Sequence, residues 1–156
     1  LVVSRPGLMT LEYETDLTRD DLYALADEVY APNDVGAAIS SGSMITLGMI
    51  VAPCAVKSAA EIACGATQTL LTRAADVTLK ERRRLVLMVR ESPLHTGHLR
   101  TLTEASEIGA IIMPPMPAFY PRPETIEDMV DHTVGRALDL FGIEHELLKR
   151  WTGTPA

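Results

Sequence analysis

Arg73, Lys80, Arg90 and Glu91 are the side chains best suited to chemistry in this chain. They fall in one stretch, RAADVTLKERRRLVLMVRE, where cations precede an apolar run and an Arg-Glu pair follows it. Arg73 and Lys80 stand seven residues apart, so on a continuous helix they share a face. With Arg90 they could enclose a phosphate, arginine as a planar fork and lysine as a point charge. Glu91 could act as a general acid or base, or equally as a structural ion-pair partner of Arg90 or Lys80. Arg82, Arg83 and Arg84 read as a solvated surface run. The chain as a whole is acidic, with 14 Lys and Arg against 21 Asp and Glu. The basic cluster is therefore local, suited to a small anion and not to general nucleic-acid binding.

Other candidates are weaker. The loop Ser40-Ser41-Gly42-Ser43 could cradle an anion with backbone N–H groups and hydroxyls, or could be an exposed turn. His95 and His98 have a spacing that could suit a metal, but no third ligand is evident, and a helix-start role fits better. His132 and His145 read as surface helix residues. Cys54 and Cys64 fit no metal or disulfide framework and read as reduced thiols of a cytoplasmic protein. No apolar run reaches membrane-spanning length, and no signal peptide is visible.

The elements that must position these groups alternate. Unbroken apolar runs at Leu1–Val3, Met49–Val51, Leu85–Val89 and Ala110–Met113 read as buried parallel strands. Helical periods lie around Leu8–Glu14, Arg19–Val29, Lys57–Ala66, Gln68–Arg82, Gly97–Ile108 and Thr125–Phe141. This alternation predicts a single α/β domain over residues 1–156, a three-layer Rossmann-like sandwich with a mainly parallel sheet. In the last helix Ile126, Met129, Val130, Thr133, Val134, Ala137, Leu138 and Phe141 form one apolar stripe, with Thr125 as N-cap and Gly142 as stop. Arg136 sits off that stripe. Ligands of such sheets bind beyond the strand carboxyl ends, here Ser4, Pro53-Cys54, Arg90-Glu91 and Pro114-Pro115. There Arg90, Glu91 and Tyr120 would line one cleft with the Ser40–Ser43 loop. Tyr120 lies in a loop with five prolines in ten residues, stiff enough to fix a side chain at small entropic cost.

Ser41 in SGS, Pro53-Cys54, LLTRAADVTLKERRRLVLMVRESPLHTGHL, GAIIMPPMPAFYPRP and the closing KRW together resemble the bacterial flavin prenyltransferase family over essentially the whole chain. The resemblance implies a flavodoxin-like subunit in a homododecamer. It also implies transfer of a dimethylallyl group from dimethylallyl monophosphate to N5 and C6 of reduced FMN, with no divalent metal. The product, prenylated FMN, would serve a separate UbiD-like aromatic acid decarboxylase. On matching positions, Lys80, Arg90, Tyr120 and Arg136 would grip the phosphate and Trp151 would stand near the prenyl pocket. Ser4, Ser41 and Arg73 would contact FMN, Glu91 would assist proton transfer, and Glu14 would be a further acidic site residue. The family's opening strand and G-x-S-G-A-S-G-type loop have no match here, and the chain opens on Leu1 without a methionine. The domain is accordingly read as N-terminally incomplete. Ala55 also replaces a usual hydroxyl residue. Two other readings stay open: a flavoprotein that decarboxylates cysteinyl substrates, although its catalytic His and Asn-rich Met motif are not found, and a non-catalytic flavin carrier subunit.

Overall fold

The computed structural model of the protein describes residues 1–151 and 153. Its centre is a parallel sheet of β1 (Gly48–Cys54), β2 (Arg84–Val89) and β3 (Ala110–Ile112), in that spatial order. β2 lies between the other two and is buried along almost its whole length, which accounts for its unbroken apolar sequence. Leu85, Leu87 and Val89 alternate onto one face and pack with Val51, Ala59, Ile62, Leu102 and Ala105. Val86 is fully buried on the opposite face, and α6 (Ile126–Phe141) also packs against β2. Each of the three fully buried leucines Leu70, Leu85 and Leu87 stabilises the fold by about 1.5–3 kcal/mol.

α3 (Val56–Ala63) and α5 (Thr96–Glu107) face the core and pack on each other. α4 (Leu70–Lys80) returns the chain from the carboxyl end of β1 to the start of β2. Its start is fixed by a capping box, in which Thr69 accepts from the Thr72 N–H and Thr72 in turn accepts from the Thr69 N–H. The same device, Thr125 with Asp128, starts α6, and Gly142 ends it in the left-handed conformation, both as expected. His95 caps α5 by accepting from the Gly97 and His98 N–H groups, so the helix-start reading of PLHTGHL holds.

Some expectations change. Leu1–Val3 makes only a single parallel bridge, Val2 to Tyr30, and Ser4 does not end a strand but caps α1 (Arg5–Glu14). α2 (Arg19–Ala24) stops short of Val29 because Tyr30 must be extended to pair with Val2. The α6 stripe does not face the core as a unit. Ile126, Val130 and Val134 are 76%, 53% and 39% exposed, while His132, Gly135 and Ala137 are buried. His132 and His145 are consequently not surface residues: a helix laid on a sheet by its small residues buries what flanks them.

The two cysteines differ sharply. Cys54 ends β1 inside the core, where burial pushes its thiol up to about 11, and Cys64 is exposed after α3. A thiol titration of the native protein at pH 8 is expected to find only Cys64 reacting promptly, with Cys54 appearing on denaturation. Prompt reaction of both would show that the carboxyl end of β1 opens.

Candidate functional site

The expected site residues fall into three groups. The first lies beside α4. Arg73, in its second turn, donates from Nε to the Ser40 carbonyl at 3.2 Å and from Nη1 to Asp76 at 2.8 Å. Lys80, in the last turn, pairs with Glu81 and stands against Gly42, where a Cβ would come within 2.7 Å of its Nζ. The Oγ atoms of Ser41 and Ser43 are 2.9 Å apart in the same loop. A guanidinium, an ammonium and paired hydroxyls thus gather in one patch.

Arg83 holds this patch, contrary to its reading as part of a solvated run. Arg82 takes a left-handed φ of 58°, and the Arg83 N–H bonds back to the Thr78 carbonyl. That closing turn aims Arg83 at the loop, where Nη1 donates to the Met44 carbonyl at 2.6 Å and Nη2 to the Gly42 carbonyl at 2.8 Å. Arg83→Met is expected to speed amide exchange across residues 41–44 by about tenfold, since two hydrogen bonds to a charged donor are lost. Unchanged exchange would mean that Arg73 and Lys80 alone hold the loop.

The second group gathers at the carboxyl edge of the sheet. The Arg90 N–H bonds to the Cys54 carbonyl at 3.2 Å, which ties the ends of β1 and β2 together. The exposed Arg90 guanidinium faces Glu14, at the end of α1, at 4.0 Å. An ion pair this exposed contributes at most about 1 kcal/mol, so both charges remain available to a ligand. Glu91 accepts from the Ser92 N–H at 3.1 Å and, among the described residues, makes no ion pair with Arg90 or Lys80.

The third group surrounds α6. Tyr120 bonds through its hydroxyl to His132 Nε2 at 3.0 Å and meets Trp151 edge-on, 6.3 Å between ring centroids. Arg136 binds Asp139 at 2.9 Å and lines an open cleft of about 300 Å³ with Met113, Pro114, Met116 and His132. Asp139 also receives Arg150 and His145, and these bonds, Arg150 foremost, hold its carboxyl well below the usual carboxylate range.

One expected grouping fails within a single chain. Lys80 precedes β2 and Arg90 follows it, so six residues of strand, about 20 Å, separate them. Lys80 of the first group and Arg90 of the second therefore stand at opposite ends of β2 in one protomer. Sequence reading missed Arg83, His132 and Asp139. For His132 a signal was present, since a hydroxyl fixed in a rigid proline loop requires a fixed partner.

These features define an α/β protein with a parallel sheet and exposed cations around it, and the comparisons give its family. The Flavoprotein family matches residues 8–138. The flavin prenyltransferase UbiX of Escherichia coli K12 is 53% identical over 155 residues, 98% of this chain and 82% of that protein. The crystal structure of AnUbiX (PadA1) in complex with FMN and dimethylallyl pyrophosphate superimposes with a TM-score of 0.97 at 48% identity, over 99% of this chain and 82% of that one. The dodecameric FMN-dependent UbiX-like decarboxylase of Escherichia coli O157:H7 gives 0.95 at 50% identity, over 98% and 83%. The chain belongs to the UbiX flavin prenyltransferase family. Among the described residues no helix is long and apolar enough to cross a membrane, and no three His, Cys, Asp or Glu side chains cluster to hold a metal ion.

Proposed function

We propose that this protein is a cytoplasmic flavin prenyltransferase. It moves the dimethylallyl group of dimethylallyl monophosphate onto N5 and C6 of reduced FMN and releases prenylated FMN for a partner UbiD-like decarboxylase. The observation that carries this reading is that a chain of this family keeps three exposed cations, Arg90, Arg136 and Lys80, and a Tyr120–Trp151 aromatic pair. The crystallised relative bound to dimethylallyl pyrophosphate supports the substrate class, because both esters present an allyl carbon and a phosphoryl leaving group.

The residues present fit a flavin. The Ser41 and Ser43 hydroxyls and the half-exposed Arg73 guanidinium offer donors to its carbonyl-rich edge, with Ser4 beyond the helix it caps. Reduced FMN, when bound, supplies the nucleophilic nitrogen and carbon. The remaining work belongs to the chain. Arg90, Arg136, Lys80 and the Tyr120 hydroxyl neutralise charge as phosphate departs, which lowers the barrier electrostatically and takes over what a divalent metal does elsewhere. Glu91, exposed and anchored through the Ser92 N–H, shuttles a proton. Glu14 orients Arg90, and Trp151 walls the allyl pocket.

Because β2 separates Lys80 from Arg90, the complete site forms between copies. The Ser41, Arg73 and Lys80 patch of one protomer faces the Glu14, Arg90 and Glu91 edge of another. The dodecameric relative and the exposed apolar residues Ile45, Leu47, Ile126 and Val130 support such an assembly, with a homododecamer as the expected form. The activity test is direct. The protein is incubated with reduced FMN and dimethylallyl monophosphate, and the extracted flavin is weighed by mass spectrometry. A gain of one isoprene unit is expected, and unmodified FMN under these conditions would refute the reading.

A further inference from the structure

The segment after α6 is clasped to that helix by one carboxylate. Asp139, whose side chain is only 17% exposed, accepts from Arg150 through both oxygens, at 2.7 and 3.1 Å. It accepts from Arg136 at 2.9 Å and from His145 Nε2 at 3.1 Å. His145 Nδ1 accepts from the Leu147 N–H, so the ring proton sits on Nε2 and points at Asp139. Gly135 lets the segment lie this close, since a Cβ there would come within 2.6 Å of His145 Cε1 and 2.8 Å of Leu148 Cδ2.

Two of the expected substrate contacts hang on this clasp. Arg136 is bound to Asp139 directly and lines the cleft beside His132. Trp151 follows Arg150 in sequence and stands edge-on to Tyr120, whose hydroxyl is fixed by His132 one turn before Arg136. A bidentate guanidinium–carboxylate pair sets direction as well as distance. The backbone at Arg150 is therefore oriented, and with it the indole of the next residue.

We propose that Asp139 is a positioning residue of the prenyl-transfer site, holding Arg136 for the phosphate and, through Arg150, holding Trp151 against Tyr120 as the wall of the allyl pocket. The proposal rests on the prenyl-transfer reading above. It assigns one group to coordinate both ends of the ester: the cation for its head and the aromatic wall for its five-carbon tail. Loss of the aromatic wall weakens binding of the tail, and misalignment of the cation lowers the fraction of bound substrate in a reactive pose.

Trp151 is the only tryptophan of the chain, so its fluorescence reports the clasp without interference. Asp139→Asn removes the charge at the hub. Arg150→Gln, at an exposed position, removes one arm and leaves the Arg136–Asp139 bond intact. In the full chain, both variants are expected to show lower Trp151 anisotropy and steeper iodide quenching. KM for dimethylallyl monophosphate should rise about tenfold in Arg150→Gln, with kcat little changed, and Asp139→Asn should lose kcat as well because Arg136 is released. An unaltered Trp151 signal in both variants overturns the clasp. A freed Trp151 with wild-type KM and kcat overturns the positioning role and leaves only a structural one. The wild-type rate separates the two claims: no transfer by the wild type sinks the prenyl-transfer reading, whereas the fluorescence comparison stands without it.

Discussion

Arg90→Ala lowers the rate of prenylated FMN formation by about 10²–10³-fold, the usual loss when one donor that stabilises developing charge is removed. The guanidinium sits at the carboxyl end of β2, its backbone pinned to Cys54 and its side chain, among the described residues, held only by Glu14 at 4.0 Å. Little folding energy depends on so exposed a pair, so the loss belongs to chemistry and not to stability. Flavin binding should persist, because the Ser41 and Arg73 patch is untouched. Mass spectrometry of flavin extracted after a timed reaction measures the effect, and Arg100→Ala, on the exposed face of α5, serves as the control. A rate within a factor of about three of wild type would remove Arg90 from the transition state.

Co-expressing Lys80→Ala with Arg90→Ala is expected to restore activity that neither variant has alone. The six residues of β2, about 20 Å of strand, lie between the two residues in any one chain. A site built between copies takes Lys80 from one protomer and Arg90 from another. In an evenly mixed assembly about one quarter of sites would draw both intact residues, so about one quarter of wild-type activity should return. Tagged subunits purified in two affinity steps isolate the mixed species. No recovery in a confirmed mixed assembly would place both cations in the same copy's site and would contradict the geometry of β2.

The sheet was legible because its central strand is buried on both faces, so Leu85–Val89 is apolar without interruption. Helix starts were legible where the caps are local, as at Thr125 and Asp128. The grouping of Lys80 with Arg90 misled for a physical reason: the two are ten positions apart in sequence, but the six residues of β2 lie between them and carry one from the other. Arg83 was hidden because its role depends on a left-handed turn at Arg82, a conformation no arginine announces. The α6 stripe is present but serves two surfaces. Gly135 and Ala137 rest on the protein, while Ile126 and Val130 face outward. Periodicity shows that a face is apolar and not what covers it.

The length of β2 also has a consequence for regulation. If the two halves of the reaction centre sit at opposite ends of a rigid strand, a lone subunit is chemically silent. Output then depends on assembly: specific activity should climb with protein concentration and level off once the shells are full. A newly made chain would carry its cations without being able to spend an allylic ester wastefully, and the onset of catalysis would report completed quaternary structure.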